Sequence, residues 1–368
     1  MNSDFNEKNL IKVRQVCFIY LAFVPVNKLV SLPATLAALS SEQFIVSLLA
    51  NIIVDGLILW LILFLNEKRQ DQTLYNTLEK GLGKVAAKII YTLLAAYFLI
   101  KSIVPLFEHK AYVESTLYEM MPHGVIFFTF FAFSTYLCLK GLKTLGRCAD
   151  IAVWLTAAGL IVGLFLSVGY ADYSNMLPFF QKPAYKLVNT SIRTLMWHGD
   201  AMYMFLMTGH FRPEKLYKTK ITASYFIGSI AAAFCIVTFY GVYGAIAPSQ
   251  NYAFSAVSVF SVIVTNIGRF DFISVFLVLF SQVFSIALPL VMATKCLERV
   301  FSTKRSIVHA FIVNGIVLTF TAFFSNHVIK VVDFYQKYFV YALIGALTAT
   351  LLSLVFARER RNDEVFQN

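Results

Sequence analysis

The stretch QVCFIYLAFVPVNKLVSLPATLAA, residues 15–38, decides how this chain is read. It is long enough to cross a hydrocarbon core of ~30 Å, which takes about 20 apolar residues in a helix. Lys28 stands near its middle, where an ammonium group is costly and an ionisable side chain is a functional candidate by default. Pro25, Asn27 and Pro33 continue a helix poorly, so the sequence predicts an interruption at Val24-Pro25-Val26-Asn27-Lys28. A charged and broken membrane helix is the pattern of a transporter-like binding site.

The rest of the chain belongs to the same solvent. Of its 368 residues 58% are hydrophobic and 14% charged, and the mean hydropathy is +0.70, whereas charged residues make up about 25% of soluble domains. That composition excludes a soluble enzyme of ordinary type. Ten apolar segments are predicted as membrane helices, near 15–38, 43–65, 86–118, 124–139, 149–169, 191–210, 221–246, 272–295, 306–325 and 335–357. Two are irregular. The sixth is interrupted by Trp197-His198-Gly199-Asp200, and the third is overlong and carries Lys101, Glu108, His109, Lys110 and Glu114.

Basic residues give an orientation, because positive charge is retained on the cytoplasmic side. Alternate connections hold 22 of the 31 lysines and arginines, among them Lys12, Lys80, Lys143, Arg212, Lys295 and Arg360. The opposite loops hold only Lys182, Lys186, Arg269 and Lys330, so both termini are expected to be cytoplasmic. The net charge of +11 is then mostly topology, with attraction to anionic lipid as a side effect. A nucleic-acid partner is not expected, since these charges are scattered over short loops instead of gathered on one face. The first apolar segment is too long for a signal h-region and lacks a small-residue cleavage site, so it is expected to stay as helix one. Cys17, Cys138, Cys148, Cys235 and Cys296 show no CxxC spacing, which suggests neither a disulfide nor a metal site. Gly81-Leu82-Gly83-Lys84 lacks the first glycine and the closing Ser or Thr of a phosphate loop, and no HExxH or GxSxG occurs; no cofactor is expected.

Ten helices divide into two sets of five, and an interrupted segment opens each set. The expected fold is therefore an all-α polytopic membrane protein with a five-plus-five inverted repeat of LeuT-like type and broken helices one and six. One transporter-like domain is predicted: a cytoplasmic N-terminus (1–14), a first half (15–170), an external loop (171–190), a second half (191–357) and a cytoplasmic tail (358–368). The moderately apolar segment 250–267 is expected to form an external helix or lid that does not span.

The candidate site follows from the breaks. Counting along the helices puts Lys28 roughly 20 Å, and Asp55 and Asp200 about 15 Å, above the inner ends of their segments, all near the midplane. Lys28 is expected to pair with Asp55 or Asp200 and to stand where a coupling cation stands in sodium-driven relatives; the plainer alternative is a structural pair or a snorkelling lysine. Asn51 and Asp55 share a helix face and suit structural glue. His198 and Asp200 flank Gly199, where unwound backbone and a titratable pair can bind an ammonium group or relay a proton. Trp197 and Tyr203 would wall that break, or simply pack. Lys101 lies two turns from Glu108, too far for a direct contact, and needs a partner on another helix. Gln282 and Ser285 are candidate pocket liners, or interhelical hydrogen-bonding groups. The ligand is expected between Asn27, Lys28 and Ser31 on one side and His198, Gly199 and Asp200 on the other.

Four stretches carry a family resemblance: Leu29-Val30-Ser31-Leu32-Pro33, KGLKTLGRCADI (140–151), SNMLPFF (174–180) and LYEMMPHGVI (117–126). With the order and hydropathy of nearly the whole chain, they resemble the GerAB group, the B subunits of spore-germination nutrient receptors. The resemblance implies the amino acid-polyamine-organocation superfamily, an amino-acid-sized site between helices one, three, six and eight, partner A- and C-type subunits, and the spore inner membrane. The chain departs from the group in having Val26-Asn27-Lys28 where a glycine-rich break commonly precedes LSLP. Two functions are carried forward: a germinant-receptor subunit binding a small amino-acid-like nutrient, and an autonomous proton-coupled amino-acid or amine transporter. A channel component is a third, without a ring of like charges to support it.

Overall fold

In a computed structural model of the chain, residues 10–67, 72–116, 123–176, 183–250, 271–303 and 306–366 are described. Among them all regular elements are helical, apart from one isolated bridge between Ile11 and Phe211. The first predicted segment is two helices, α1 (Val13–Val26) and α2 (Leu32–Ser40). The interruption covers residues 27–31 and so begins later than Pro25 suggested. Pro25 still fits the last turn of α1, where the Asn27 N–H reaches the Phe23 carbonyl at 3.1 Å. The Lys28 and Leu29 N–H groups then turn to the carbonyls three residues back, at 3.1 and 3.3 Å, and the α-helix ends. Pro33 falls in the first turn of α2, where its missing N–H is not needed.

Next in the chain are α3 (Phe44–Leu65), α4 (Leu74–Leu82), α5 (Lys84–Thr116), α6 (His123–Lys140), α7 (Leu142–Ser167), α8 (Ala184–Thr194), α9 (Met202–Met207), α10 (Tyr217–Tyr243), α11 (Asp271–Phe301), α12 (Ser306–Phe323) and α13 (Val328–Phe366). Two differences from the sequence reading have clear causes. The sixth segment starts at Ala184 and not near 191, because Pro183 starts α8 while its Lys, Asn, Thr, Ser and Arg residues hide it from a hydropathy reading. Helix α4 falls between the second and third predicted segments, where no helix is predicted. It is too short to span, begins under a Thr73 cap whose Oγ1 accepts from the Asn76 N–H, and buries Leu74, Tyr75 and Leu78 against α5 and α13.

By length and composition, six stretches can cross a membrane: Leu32–Leu65, Lys84–Glu114, Leu142–Tyr170, Tyr217–Ser249, Val275–Phe301 and Ser325–Ala357. Val13–Val26, Phe127–Lys140 and Ile307–Phe323 are shorter and apolar. Burial sorts them. α1 is enclosed by α7, α10 and α11, and α5 lies along α11. In contrast, α3 exposes Ile53, Leu57 and Trp60, and α7 exposes Ile151, Trp154, Ile161 and Phe165. Such an apolar belt would aggregate in water and is natural against lipid. At the end of the bundle holding the start of α1, the Ile11 N–H donates to the His210 carbonyl at 2.9 Å and Arg14 pairs with Asp150 at 3.2 Å. Gly209 (φ +79°) allows that turn, since a Cβ there would lie 2.6 Å from the Gln72 backbone. Residues 117–122 and 177–180 of the family-like stretches, and 251–267 of the expected lid, lie outside the described residues.

Candidate functional site

The second break runs from His198 to Ala201, between the 3-10 turn Leu195–Trp197 and α9. Gly199 makes it possible. Its φ is +77°, and a Cβ would stand 2.8 Å from the Tyr97 hydroxyl and 2.9 Å from Leu343 Cδ1; both the backbone region and the space suit only glycine. Backbone groups freed in a membrane interior must find partners, and three other helices supply them. Asp55 on α3 accepts the Asp200 N–H at Oδ2 (2.9 Å) and the Ala201 N–H at Oδ1 (3.2 Å). Lys101 on α5 donates to the His198 carbonyl. The hydroxyls of Tyr97 and Tyr20 donate to the Gly199 and Asp200 carbonyls, at 3.4 and 3.3 Å.

The side chain of Asp200 joins the two breaks. It pairs with Lys28, and both side chains have no exposed surface; Lys28 also donates to the Val24 carbonyl at 3.3 Å. Lys101 Nζ lies 3.7 Å from Asp200 Oδ1, so two ammonium groups share one carboxylate. Sequence left Asp55 and Asp200 open as partners of Lys28, and the geometry separates them. Both oxygens of Asp55 are committed to backbone N–H groups, so Asp55 works as a backbone acceptor and makes no ion pair among the described residues. Asn51, one turn before it, donates to the Ser191 carbonyl and Thr194 Oγ1, both at 3.0 Å, and ties α3 to α8.

The remaining candidates divide. Ser285 on α11 hydrogen-bonds Asn27 at the first break. Gln282 instead meets the His109 ring at 3.1 Å and does not line the gap between the breaks. That gap is bounded by Asn27, Lys101, Pro105, Trp197, Tyr203 and Ser285, and it holds about one water molecule. Lys28, Ser31, His198, Gly199 and Asp200 do not line it, and Gly199 lines a separate small cavity with Asn51, Asp55 and Leu343. His198 is fully buried, and neither ring nitrogen has a hydrogen-bond partner. Tyr203 stacks on Phe98 with ring centroids 5.2 Å apart, and Lys101 lies 5.9 Å from its ring centre.

Glu108 is the residue that sequence reasoning passed over. The Ser31 hydroxyl donates to its Oε1, and Trp197 Nε1 donates to the same oxygen at 2.9 Å. One donor comes from each broken helix. The signal was present in the seven-residue spacing to Lys101, but hydropathy reads Glu108 only as a flaw in an overlong segment. Among the described residues there is no cluster of His, Cys, Asp and Glu able to hold a metal ion.

Comparison with known proteins places this architecture. Two mutant structures of the Eremococcus coleocola manganese transporter match with TM-scores of 0.61 and 0.60, at 10% and 11% identity, each covering 96% of this chain and 80% of the other. At such identities the likeness shows the fold alone: an all-α, LeuT-like architecture with helices one and six broken. Spore germination protein A2 of Bacillus subtilis (strain 168) is 28% identical over 183 residues, or 48% of each chain, so the match spans about half the length of that relative. The family model described as "Spore germination protein" matches residues 10–328, which takes in both breaks, α5 and α11. The resemblance read from the motifs around Pro33 and along 140–151 therefore holds, and the chain belongs to the spore germination protein family.

Proposed function

We propose that the chain is the membrane subunit of a spore nutrient-germinant receptor. It binds a small amino-acid-like germinant between the two helix breaks and passes the resulting change of shape to partner subunits of the A and C types. The observation that carries this reading is the buried Lys28–Asp200 pair, which couples one broken helix to the other. A buried ion pair is a poor way to gain stability, because removing two charges from water offsets most of their attraction. It is a good way to make two half-helices move together. Lys28 also brings a tethered positive charge to the place where a coupling cation stands in sodium-driven relatives. The family and the basic residues of the alternate loops support a ten-helix chain in the spore inner membrane with both termini cytoplasmic. Reporter fusions after residues 68, 143, 215, 300 and 362 should all read cytoplasmic, and an external signal at two or more would overturn that topology.

The transporter fold of the solved neighbours favours a second reading, an autonomous proton-coupled carrier of the same ligand. One variant separates the two. Gly199→Leu removes the backbone freedom of the second break and should leave membrane insertion intact. A receptor carrying it fails to trigger germination although its partners still assemble; a carrier carrying it loses uptake in vesicles that contain this chain alone. Uptake by the isolated wild-type chain would demote the receptor reading, and a fully responsive Gly199→Leu protein would place the site elsewhere.

A further inference from the structure

We propose that Glu108 is the outer latch of the site: its carboxylate holds the outer halves of both broken helices against α5, and the gap opens to the outside only when those bonds part. The assignment rests on the reading of the gap as the ligand site and on cytoplasmic termini, and adds to it how the gap is closed.

Position along α5 sets the roles of its buried groups. Lys101 meets the unwound backbone and Asp200. Glu108 comes seven residues later, about 10.5 Å farther along the axis and on the same face. With the N-terminus cytoplasmic, α5 runs outward, so Glu108 is the outer of the two. The gap lies between their levels, where Val104 and Pro105 line it. On the same topology α2 and α8 are the outer halves of helices one and six, and they pack on each other. Ser31 stands at the head of α2, and Trp197 closes the 3-10 turn that follows α8. Both donate to the same Oε1 of Glu108, so one oxygen joins three helices. Trp197 is also a wall of the gap. Lys101 is thus the floor of the gap and the Glu108–Trp197 contact its outer cover, and about one water molecule fits beneath.

The chemistry of the contact suits a latch better than a permanent tether. Glu108 is buried, accepts from two neutral donors and makes no ion pair among the described residues. A carboxylate accepts stronger hydrogen bonds than a neutral oxygen, which favours the closed arrangement. Taking the same carboxylate out of water without a counter-charge is costly, which favours any arrangement that lets water reach it. A buried amide would tie the helices together without that cost. The two effects oppose each other and leave the closed and open arrangements close in free energy, as a gate that a ligand can tip requires. Parting the bonds releases α2 and α8 from α5 together, while the backbone of the second break stays on Asp55 and Lys101.

The test reads access to the gap from each side and needs no ligand. Ser285→Cys puts a thiol on the wall of the gap in the full-length chain, and its modification by a membrane-impermeant thiol reagent is timed with the reagent outside or inside sealed vesicles of known orientation. The chain without that substitution gives the background from Cys17, Cys138, Cys148, Cys235 and Cys296. Adding Glu108→Ala should raise the outside rate at least about tenfold and leave the inside rate within about twofold, the scale of a lost charge-assisted hydrogen bond. Glu108→Gln keeps an acceptor oxygen without the charge and should fall between. Ser31→Ala with Trp197→Phe should match Glu108→Ala, and all three together should give no further rise, because both donors act through one carboxylate. An unchanged outside rate in a folded Glu108→Ala protein overturns the latch. So does an equal rise from both sides, which is general loosening, and so does a rise from the inside alone. Where Glu108→Ala does not fold, Glu108→Gln, of the same shape, decides by the same criteria. The germinant reading stands or falls separately, through Gly199→Leu.

Discussion

The two helix breaks answer the same physical problem in opposite ways. The first, at residues 27–31, begins as a tightened turn: the N–H groups of Asn27, Lys28 and Leu29 go to carbonyls three or four residues back, Asn27 and Ser31 keep right-handed helical angles, and what it offers outward is side chains, Lys28 above all. The second, at 198–201, is unwound: His198 is extended, Gly199 has positive φ, and its backbone groups are held by Asp55, Lys101, Tyr97 and Tyr20 from three other helices. A break that satisfies itself can be read from local sequence. A break that others satisfy depends on the whole bundle, and its supports are where substitutions should cost most.

That contrast can be sharpened or broken by experiment. The largest effect is expected from Lys28→Met, which takes the nearer of two ammonium groups from Asp200 and leaves it only Lys101 at 3.7 Å, at a cost of up to about 3–5 kcal/mol. It should appear as a collapse of the thermal midpoint in detergent. Adding Asp200→Asn should restore most of the loss, whereas adding Asp55→Asn should not, since Asp55 holds backbone. Recovery with Asp55→Asn would reverse the assignment of partners. Asp55→Leu comes next. It leaves the N–H groups of Asp200 and Ala201 without acceptors, and at about 1–3 kcal/mol for each it should cost about as much as the first variant. Thermal stability equal to wild type would mean that the second break supports itself after all.

Gly199→Ala should cost about 2 kcal/mol from the left-handed backbone and the approach to Tyr97 and Leu343. Tyr97→Phe in the same protein should relieve part of it by removing the hydroxyl that the new Cβ meets, and no relief would show that backbone conformation alone is at fault. The smallest effect should come from Asn27, an uncharged side chain of the first break. Asn27→Ala removes one interhelical hydrogen bond to Ser285, and such bonds inside membranes are worth about 0.6 kcal/mol on average. A loss as large as that of Asp55→Leu would erase the distinction between the breaks.

Much of this was legible in the chain itself. Lys28 inside an apolar run, prolines on either side of it, and Trp197-His198-Gly199-Asp200 inside another run were enough to place two interruptions and hence the fold, because a membrane leaves so few ways to satisfy a backbone. Lys28, Asp55, Asp200 and Lys101 were also legible as a group, since charge at midplane depth stands out against hydrocarbon. Less was readable where polarity hid an element. Helix α8 begins before the predicted sixth segment because its Lys, Asn, Thr and Arg residues lower the hydropathy, while its packing beside α3 and α2 is a contact that no hydropathy window contains.

Sequence by itself determined the solvent, the helical class, the places where helices one and six give way, and the family. Tertiary structure alone decided which carboxylate Lys28 meets, that Asp55 serves the backbone, that Gln282 turns to His109 while Ser285 faces Asn27, and that Glu108 gathers a donor from each broken helix. The reason is one of range. Hydropathy and helix breaking act within a few residues of the chain and leave their mark in its order, but a buried charge or hydrogen bond is settled by whichever group lies within about 3 Å. Across the second break those groups come from positions about 100 to 180 residues away in the chain.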